Sequence, residues 1–260
     1  MQPVSVSRLV TRTESSDHAA VVTGVSRGLG AALAEELLGR GFFVLGIGRA
    51  SSPTLTGDRF QFVQYDLADS AHIDTALEPA FEELKQRQPV SVCLLNNAGS
   101  AEPLGPLGRL SSSGILSGLA VNLASAVALA NLFCRVFSDG AVARRIINVS
   151  SGAAETAIPG EGVYCVAKSG LEMLTLALAA DQQAASFRAI TVRPGVIDTD
   201  MQTFLRLQPP DLLPVVELFR SFHGEGEAGR AAGRRLEDCR AASRRRGRGR
   251  PYVQLLGILK

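Results

Sequence analysis

At 260 residues, 46% of them hydrophobic but only 5% aromatic, and with 26 glycines, the chain has the makeup of an α/β protein built on small aliphatic side chains and tight turns. Its four cysteines (Cys93, Cys134, Cys165, Cys239) lack metal-ligand or disulfide-framework spacing, which excludes a cysteine-held metal centre and points to a reducing, cytoplasmic setting. The net charge is +2, yet ten arginines against four acids lie between Arg220 and Arg250, so the body is mildly acidic and the C-terminal stretch basic.

Residues 1–18 are polar and carry no apolar h-region, so they read as an arm rather than a signal. The apolar stretches further on are short or interrupted by glycine, and no membrane span is expected. Ala19-Ala20-Val21-Val22-Thr23 reads as a short buried strand running into Gly24-Val25-Ser26-Arg27-Gly28-Leu29-Gly30, with a helix over residues 29–40. Glycines there let the backbone turn sharply and approach a ligand, and the helix aims its positive end at the same place. With a second strand at residues 42–48, this unit suits a dinucleotide pyrophosphate. An acid at the end of that strand would take the adenosine ribose hydroxyls, whereas a cation takes a 2′-phosphate. Arg49 stands there, no acid follows until Asp58, and Arg27 lies in the glycine loop; two guanidiniums imply NADP(H).

Residues 59–65 alternate as a third strand followed by Asp66 and Leu67, and an amphipathic helix over 70–87 places Ile73, Leu77, Phe81 and Leu84 on one face. A fourth strand at 90–95 ends in Asn96-Asn97-Ala98-Gly99, where small residues let the backbone pass close to a ribose and the Asn side chains tie the strand end. A long helix over 111–138 is interrupted near Asn122, as a kinked helix binding a water would be. The apolar run 145–149 leads into Ser151, and Tyr164 and Lys168 are four apart on the next helix, on one face. A hydroxyl, a phenol and an ammonium then gather at the carboxyl end of a sheet. They suit proton delivery to a carbonyl oxygen, with Tyr164 as acid, Lys168 lowering its pKa and Ser151 donating to the oxygen as charge develops. A sixth strand at 187–193 stops at Pro194-Gly195, and 197–222 reads as a loop-rich substrate lid lined by Phe204, Leu205, Leu207, Leu212, Leu213 and Phe219. That lining favours an apolar ketone or diketone.

Thr23-Gly24-Val25-Ser26-Arg27-Gly28-Leu29-Gly30, Asn96-Asn97-Ala98-Gly99, and Ser151 thirteen residues before Tyr164-Cys165-Val166-Ala167-Lys168 together resemble the short-chain dehydrogenases/reductases. The likeness runs from about Ala19 to Gln202 and is greatest to the sepiapterin and benzil reductase group. It implies a single doubly wound Rossmann domain over 19–222, with a mostly parallel sheet of about seven strands. It implies a catalytic set of Asn122, Ser151, Tyr164 and Lys168, with Asn122 holding a relay water and Lys168 also gripping the nicotinamide ribose. Asp66 is implied at the adenine, with Leu67 beside it, and Asn97, Ala98 and Gly99 near the ribose. Pro194, Gly195, Val196, Ile197 and Thr199 are implied around the carboxamide. The resemblance also implies a homodimer or homotetramer through the helices at 111–138 and 169–185, which carry more Leu and Ala than one sheet face needs.

Residues 223–260 depart from that pattern. Three readings stand for this stretch: an unusual helix ending in a strand at 252–256, a basic tail for an acidic partner, or a shifted reading frame. No aromatic residues interleave its arginines, so nucleic-acid binding is poorly supported. The reading reached is an NADPH-dependent carbonyl reductase without a metal. A 3-oxoacyl thioester reductase, a reversible alcohol dehydrogenase and a non-catalytic NADP(H) sensor are the alternatives.

Overall fold

Fully apolar runs of four to six residues can be buried on both faces only in a parallel sheet covered by helices, and that is how the chain folds. The computed structural model describes residues 18–138, 140 and 142–221. Six strands, β1 (His18–Thr23), β2 (Phe43–Gly48), β3 (Phe60–Gln64), β4 (Ser91–Asn96), β5 (Ala143–Val149) and β6 (Phe187–Val192), form one parallel sheet in the order β3-β2-β1-β4-β5-β6. The chain winds outward from β1 to β3 and returns to β4 beside β1. The loops after β1 and β4 therefore diverge at a switch point, where open α/β sheets bind ligands.

Strand alternation divides the core into two. Ala19 and Val21 of β1 join one cluster, while Ala20 and Val22 join the other. On the first face lie α2 (Ile73–Gln86), α4 (Ser125–Val136, preceded by α3, Ser112–Leu119) and α5 (Gly162–Asp181), contributing Leu77, Phe81, Leu129, Phe133 and Leu178. Against the second lies α1 (Gly28–Gly39), through Leu33, Ala34 and Leu37. The apolar residues read at helical spacing on α2 are the ones that are buried, after a single 3-10 turn at Ser70–His72.

Some expectations change. His18, counted with the arm, is the first residue of β1, and the rest of the arm lies outside the described residues. So do the candidate seventh strand at 252–256 and the whole basic stretch. The segment read as loop-rich contains two short helices, α6 (Asp200–Arg206) and α7 (Val216–Ser221). Leu205, Leu213 and Phe219 pack there into a small core of their own with Ala101 and Val216, so they do not line a substrate cleft. Phe204, Leu207 and Leu212 remain exposed.

Two helical stretches, Ser112–Val136 and Gly162–Asp181, are long and apolar enough to cross a membrane by composition, contrary to the expectation from glycine spacing. Each is strapped to the sheet by one buried face. Their other sides leave Leu116, Val127, Val166, Met173 and Leu176 exposed.

Candidate active site

The loop after β1 is shaped by what glycine lacks. A Cβ on Gly30 would stand 2.1 Å from the Gly24 carbonyl oxygen and 2.4 Å from Asn97 Nδ2, while Gly24 and Gly28 hold φ of +75° and +59°. The Thr23 hydroxyl accepts from the amides of Asn97 and Ala98, both at 3.0 Å, and Asn97 Nδ2 donates to the Thr23 carbonyl at 2.9 Å. The ends of β1 and β4 are thus stitched together, as the paired asparagines suggested. The first turn of α1 carries no acid, and its N-cap residue Arg27 makes no side-chain cap bond. Its leading amides are left for an anion, and Ser26, Arg27 and Gly28 are exposed beside them. The donor set therefore fits a dinucleotide pyrophosphate.

Around this cradle, Arg49 is exposed at the end of β2. Asp66 is exposed too and folds back on the chain, its Oδ1 accepting from Ala68 N at 3.0 Å, whereas Leu67 is buried in the core. The segment after β6 turns at Gly195 (φ +76°), leaves Val196 exposed and Pro194 and Ile197 half-buried, and returns over the glycine loop. Thr199 faces Gly28, with its methyl 3.4 Å from where a Cβ would stand. Arg27 pairs with Asp200 at 3.1 Å, a contact that no motif or spacing in the chain signals.

At the end of β5 the two adjacent serines part company. Ser150 is buried and donates to Glu172 Oε1 at 2.8 Å, whereas Ser151 stands beside the Tyr164 phenol and accepts from Ala153 N at 3.2 Å. Lys168, one turn beyond Tyr164, has its Nζ 5.4 Å from the phenol ring centroid and donates to the Val149 carbonyl at 2.8 Å. Only 3% of it is exposed, and burial pulls its pKa down to about 8. The structure thus brings Ser151, Tyr164 and Lys168 together.

The phenol does not behave as expected. Burial pushes its pKa up, the Glu161 carboxylate adds to this, and the Ser151 hydrogen bond opposes it only in part. Lys168 was expected to favour phenolate, but burial sets the direction of the shift and Lys168 is not among the groups that oppose it.

Asn122 stands where the long helix is interrupted. It sits in a π-helical turn, Ala120–Ala124, between α3 and α4, and is buried. Its Nδ2 donates to the Ser100 and Gly118 carbonyls and its Oδ1 accepts from Ser100 N, all at 2.9 Å. The side chain clamps the turn after β4. Gly99 is squeezed between Asn122 and Lys168: a Cβ there would lie 3.1 Å from Asn122 Oδ1 and 3.8 Å from Lys168 Nζ.

Beneath the site runs a buried polar chain. Asn96 Nδ2 donates to Asn148 Oδ1, Asn148 Nδ2 to Thr175 Oγ1, and Thr191 to Thr175, which itself donates to the Leu171 carbonyl. It joins β4, β5, β6 and α5. At the rim, Arg193 reaches both oxygens of Glu172 and also Glu155, and its guanidinium holds Glu172 below the ordinary carboxylate range.

Glu161 escaped the sequence reading. It is the N-cap residue of α5 and makes no side-chain cap bond. Only 3% of it is exposed, and burial raises its carboxyl pKa to about 7. Its position three before Tyr164, on the same helix face, was the available signal. Among the described residues no group of four-ligand type gathers; no cluster of three His, Cys, Asp or Glu could hold a metal.

Comparison with known proteins follows the same lines. A family model described as short chain dehydrogenase matches residues 18–210. The chain is 29% identical over 215 residues to benzil reductase ((S)-benzoin forming) of Bacillus cereus, covering 80% of this chain and 86% of that one. It is 31% identical over 202 residues to sepiapterin reductase of Meriones unguiculatus, covering 72% and 76% respectively. Among solved structures, a short-chain dehydrogenase/reductase from Burkholderia vietnamiensis superposes with a TM-score of 0.66 at 33% identity, over 75% of this chain and 94% of that one.

Proposed function

We propose, on the premise that the chain belongs to the short-chain dehydrogenases, that it is an NADPH-dependent reductase of ketones or diketones. Membership makes it an oxidoreductase of carbonyl and alcohol groups on small molecules, working with a nicotinamide dinucleotide. The observation that carries the finer reading is the meeting of two hydroxyls, Ser151 and Tyr164, beside the buried ammonium of Lys168 at the end of β5. Preference for the 2′-phosphorylated dinucleotide is supported by Arg27 and Arg49 and by the lack of an acid at the end of β2.

A dinucleotide held by the glycine loop and the first amides of α1 would supply the hydride taken up by the carbonyl carbon. Tyr164 gives the proton to the carbonyl oxygen, its phenol being protonated at neutral pH. Ser151 donates to the same oxygen as negative charge gathers on it. Lys168 is tethered by the Val149 carbonyl, which leaves its other N–H bonds for a ribose and for returning a proton to the phenol. Asn122 acts by holding the Gly99–Ser100 turn against Lys168. The segment 197–221 closes over the substrate. A second copy of the chain covers the exposed face of Leu116, Val127, Val166, Met173 and Leu176 in a homodimer or homotetramer. The three described cysteines are free, in keeping with a cytoplasmic enzyme.

The test is NADPH oxidation followed by absorbance over diketones, aromatic ketones, pterins and acetoacetyl thioesters, with NADH in parallel. Turnover with NADPH on a diketone or pterin, abolished in Tyr164→Phe with cofactor binding retained, is the expected result. Cofactor binding without turnover on any carbonyl would overturn the reading in favour of a sensor.

A further inference from the structure

Tyr164, Lys168 and Glu172 stand at intervals of four along α5 and share one stripe of it. Two of them tie the helix to successive residues at the end of β5: Lys168 donates to the Val149 carbonyl, and Glu172 Oε1 accepts from Ser150 Oγ. Ser151 comes next, and its neighbours set its place. Before it, Ser150 is fixed twice, through its hydroxyl to Glu172 and through its amide to the Val192 carbonyl of β6 at 2.8 Å. After it, the 3-10 turn Gly152–Ala154 leads to Glu155, and the Ala154 carbonyl accepts from the Ser169 hydroxyl of α5 at 2.8 Å. Both sides meet at Arg193, the first residue past β6. Its Nε donates to Glu172 Oε1 at 2.6 Å, one terminal nitrogen donates to Glu172 Oε2, and the other donates to Glu155. A guanidinium can grip two carboxylates in this way because its N–H bonds form one rigid planar fork, which an ammonium lacks. The bridge is more than a loose surface pair. Arg193 and Glu172 expose 33% and 25% of their side chains, and three charge-assisted bonds restrain one planar group.

We propose that Arg193 is a positioning residue for Ser151: by gripping Glu172 and Glu155 at once, it holds the turn that carries Ser151 against α5, so that the Ser151 and Tyr164 hydroxyls address one carbonyl oxygen. The inference rests on the carbonyl-reductase reading above and adds a residue to that site. Tyr164 is placed by α5 itself, and Lys168 is tethered to β5. Ser151 lies instead in a turn, and the polar ties of residues 152–155 to α5 run through Ser169 and through Arg193. Loss of Arg193 frees Glu155 and takes two of the three donors from Glu172. Displacing a catalytic group by about 1 Å costs up to about 100-fold in rate. A Ser151 hydroxyl moved off the oxygen loses its hold on the charge that gathers in the transition state, so the loss falls on kcat more than on KM.

The test follows reduction of whichever carbonyl compound in the panel above the full chain turns over fastest, in the wild type, Arg193→Met, Ser151→Ala and the double variant. Rates are expressed per NADPH-binding site, titrated by fluorescence, so that misfolded protein drops out. Arg193→Met should lower kcat about tenfold while KM changes less than about threefold. In the Ser151→Ala background the same substitution should cost less than about twofold, because the group it positions is gone. A purely structural role would lower the number of binding sites and leave kcat per site alone. An unchanged kcat per site, or a tenfold loss repeated in Ser151→Ala, therefore overturns the inference while leaving the reductase reading in place. Should Arg193→Met not fold, Glu155→Ala carries the same test from the exposed rim, with an expected loss of about threefold that vanishes in the Ser151→Ala background. No loss, or a loss that persists in that background, overturns the inference. A wild type that binds NADPH but reduces none of the compounds overturns it together with the reading beneath it.

Discussion

Replacing Glu161 by Gln should stabilise the protein at high pH and change it little at low pH. The carboxyl pKa stands at about 7 in the fold against an ordinary value of 4.5. Between those values the folded chain holds more proton than the unfolded one, so protonation favours folding. The favourable state is complete below about 4.5 and is lost as pH climbs through about 7. At roughly 1.4 kcal/mol per pH unit, the penalty of carrying the buried carboxylate reaches about 3 kcal/mol at full ionisation. Glutamine has nearly the same volume and no charge, so the variant escapes the penalty. Urea unfolding followed by circular dichroism at about pH 5 and about pH 9 measures the difference. A gain of under about 1 kcal/mol at the lower pH and of about 3 kcal/mol at the higher one is the expected pattern. Parallel pH dependence in the two proteins would mean that the carboxyl is solvated or paired, and the reasoning from its burial would fail.

Other perturbations address the scaffold and the cofactor cradle. Thr175→Val leaves Asn148 Nδ2 without its buried acceptor and should cost about 2–3 kcal/mol in urea unfolding. Gly30→Ala forces a Cβ to within 2.1 Å of the Gly24 carbonyl and should weaken NADPH binding at least about tenfold by titration calorimetry. Asp200→Asn releases Arg27 from an exposed ion pair, which is worth at most ~1 kcal/mol. NADPH should then bind up to about fivefold tighter, with NADH unaffected.

Much of the fold was readable because each strand is a short apolar run closed by a turn signal, and because glycines cluster where β1 meets α1. The distinction between Ser150 and Ser151 was also legible, since their spacing to Tyr164 differs by one residue and the structure sends the two hydroxyls to different partners. Glu161 was not legible. A single glutamate before a helix is ordinarily solvated, and nothing in its spacing marks this one as buried. The same holds for Leu205, Leu213 and Phe219. An apolar residue in a connecting segment can line a cleft or a private core, and sequence spacing in two short helices does not choose between them. The acidity of Tyr164 depends on desolvation, which a YxxxK spacing does not encode.

The wide turn at Ala120–Ala124 has a geometric meaning beyond the clamp that Asn122 makes. A π turn is one residue too many for the helix that contains it, so the stretches on either side are out of phase by about 100°. Without that offset, the face of α4 that seats Leu129 and Phe133 on the sheet and the face of α3 that lets Gly118 touch Pro103 and the Glu102 carbonyl could not both be satisfied. The turn works as a gear between a helix that belongs to the core and one that belongs to the rim of the site. An in-frame deletion of one residue within 120–124 should therefore leave a folded chain by circular dichroism, with its sheet packing intact, that has lost reductase activity because the rim has rotated away.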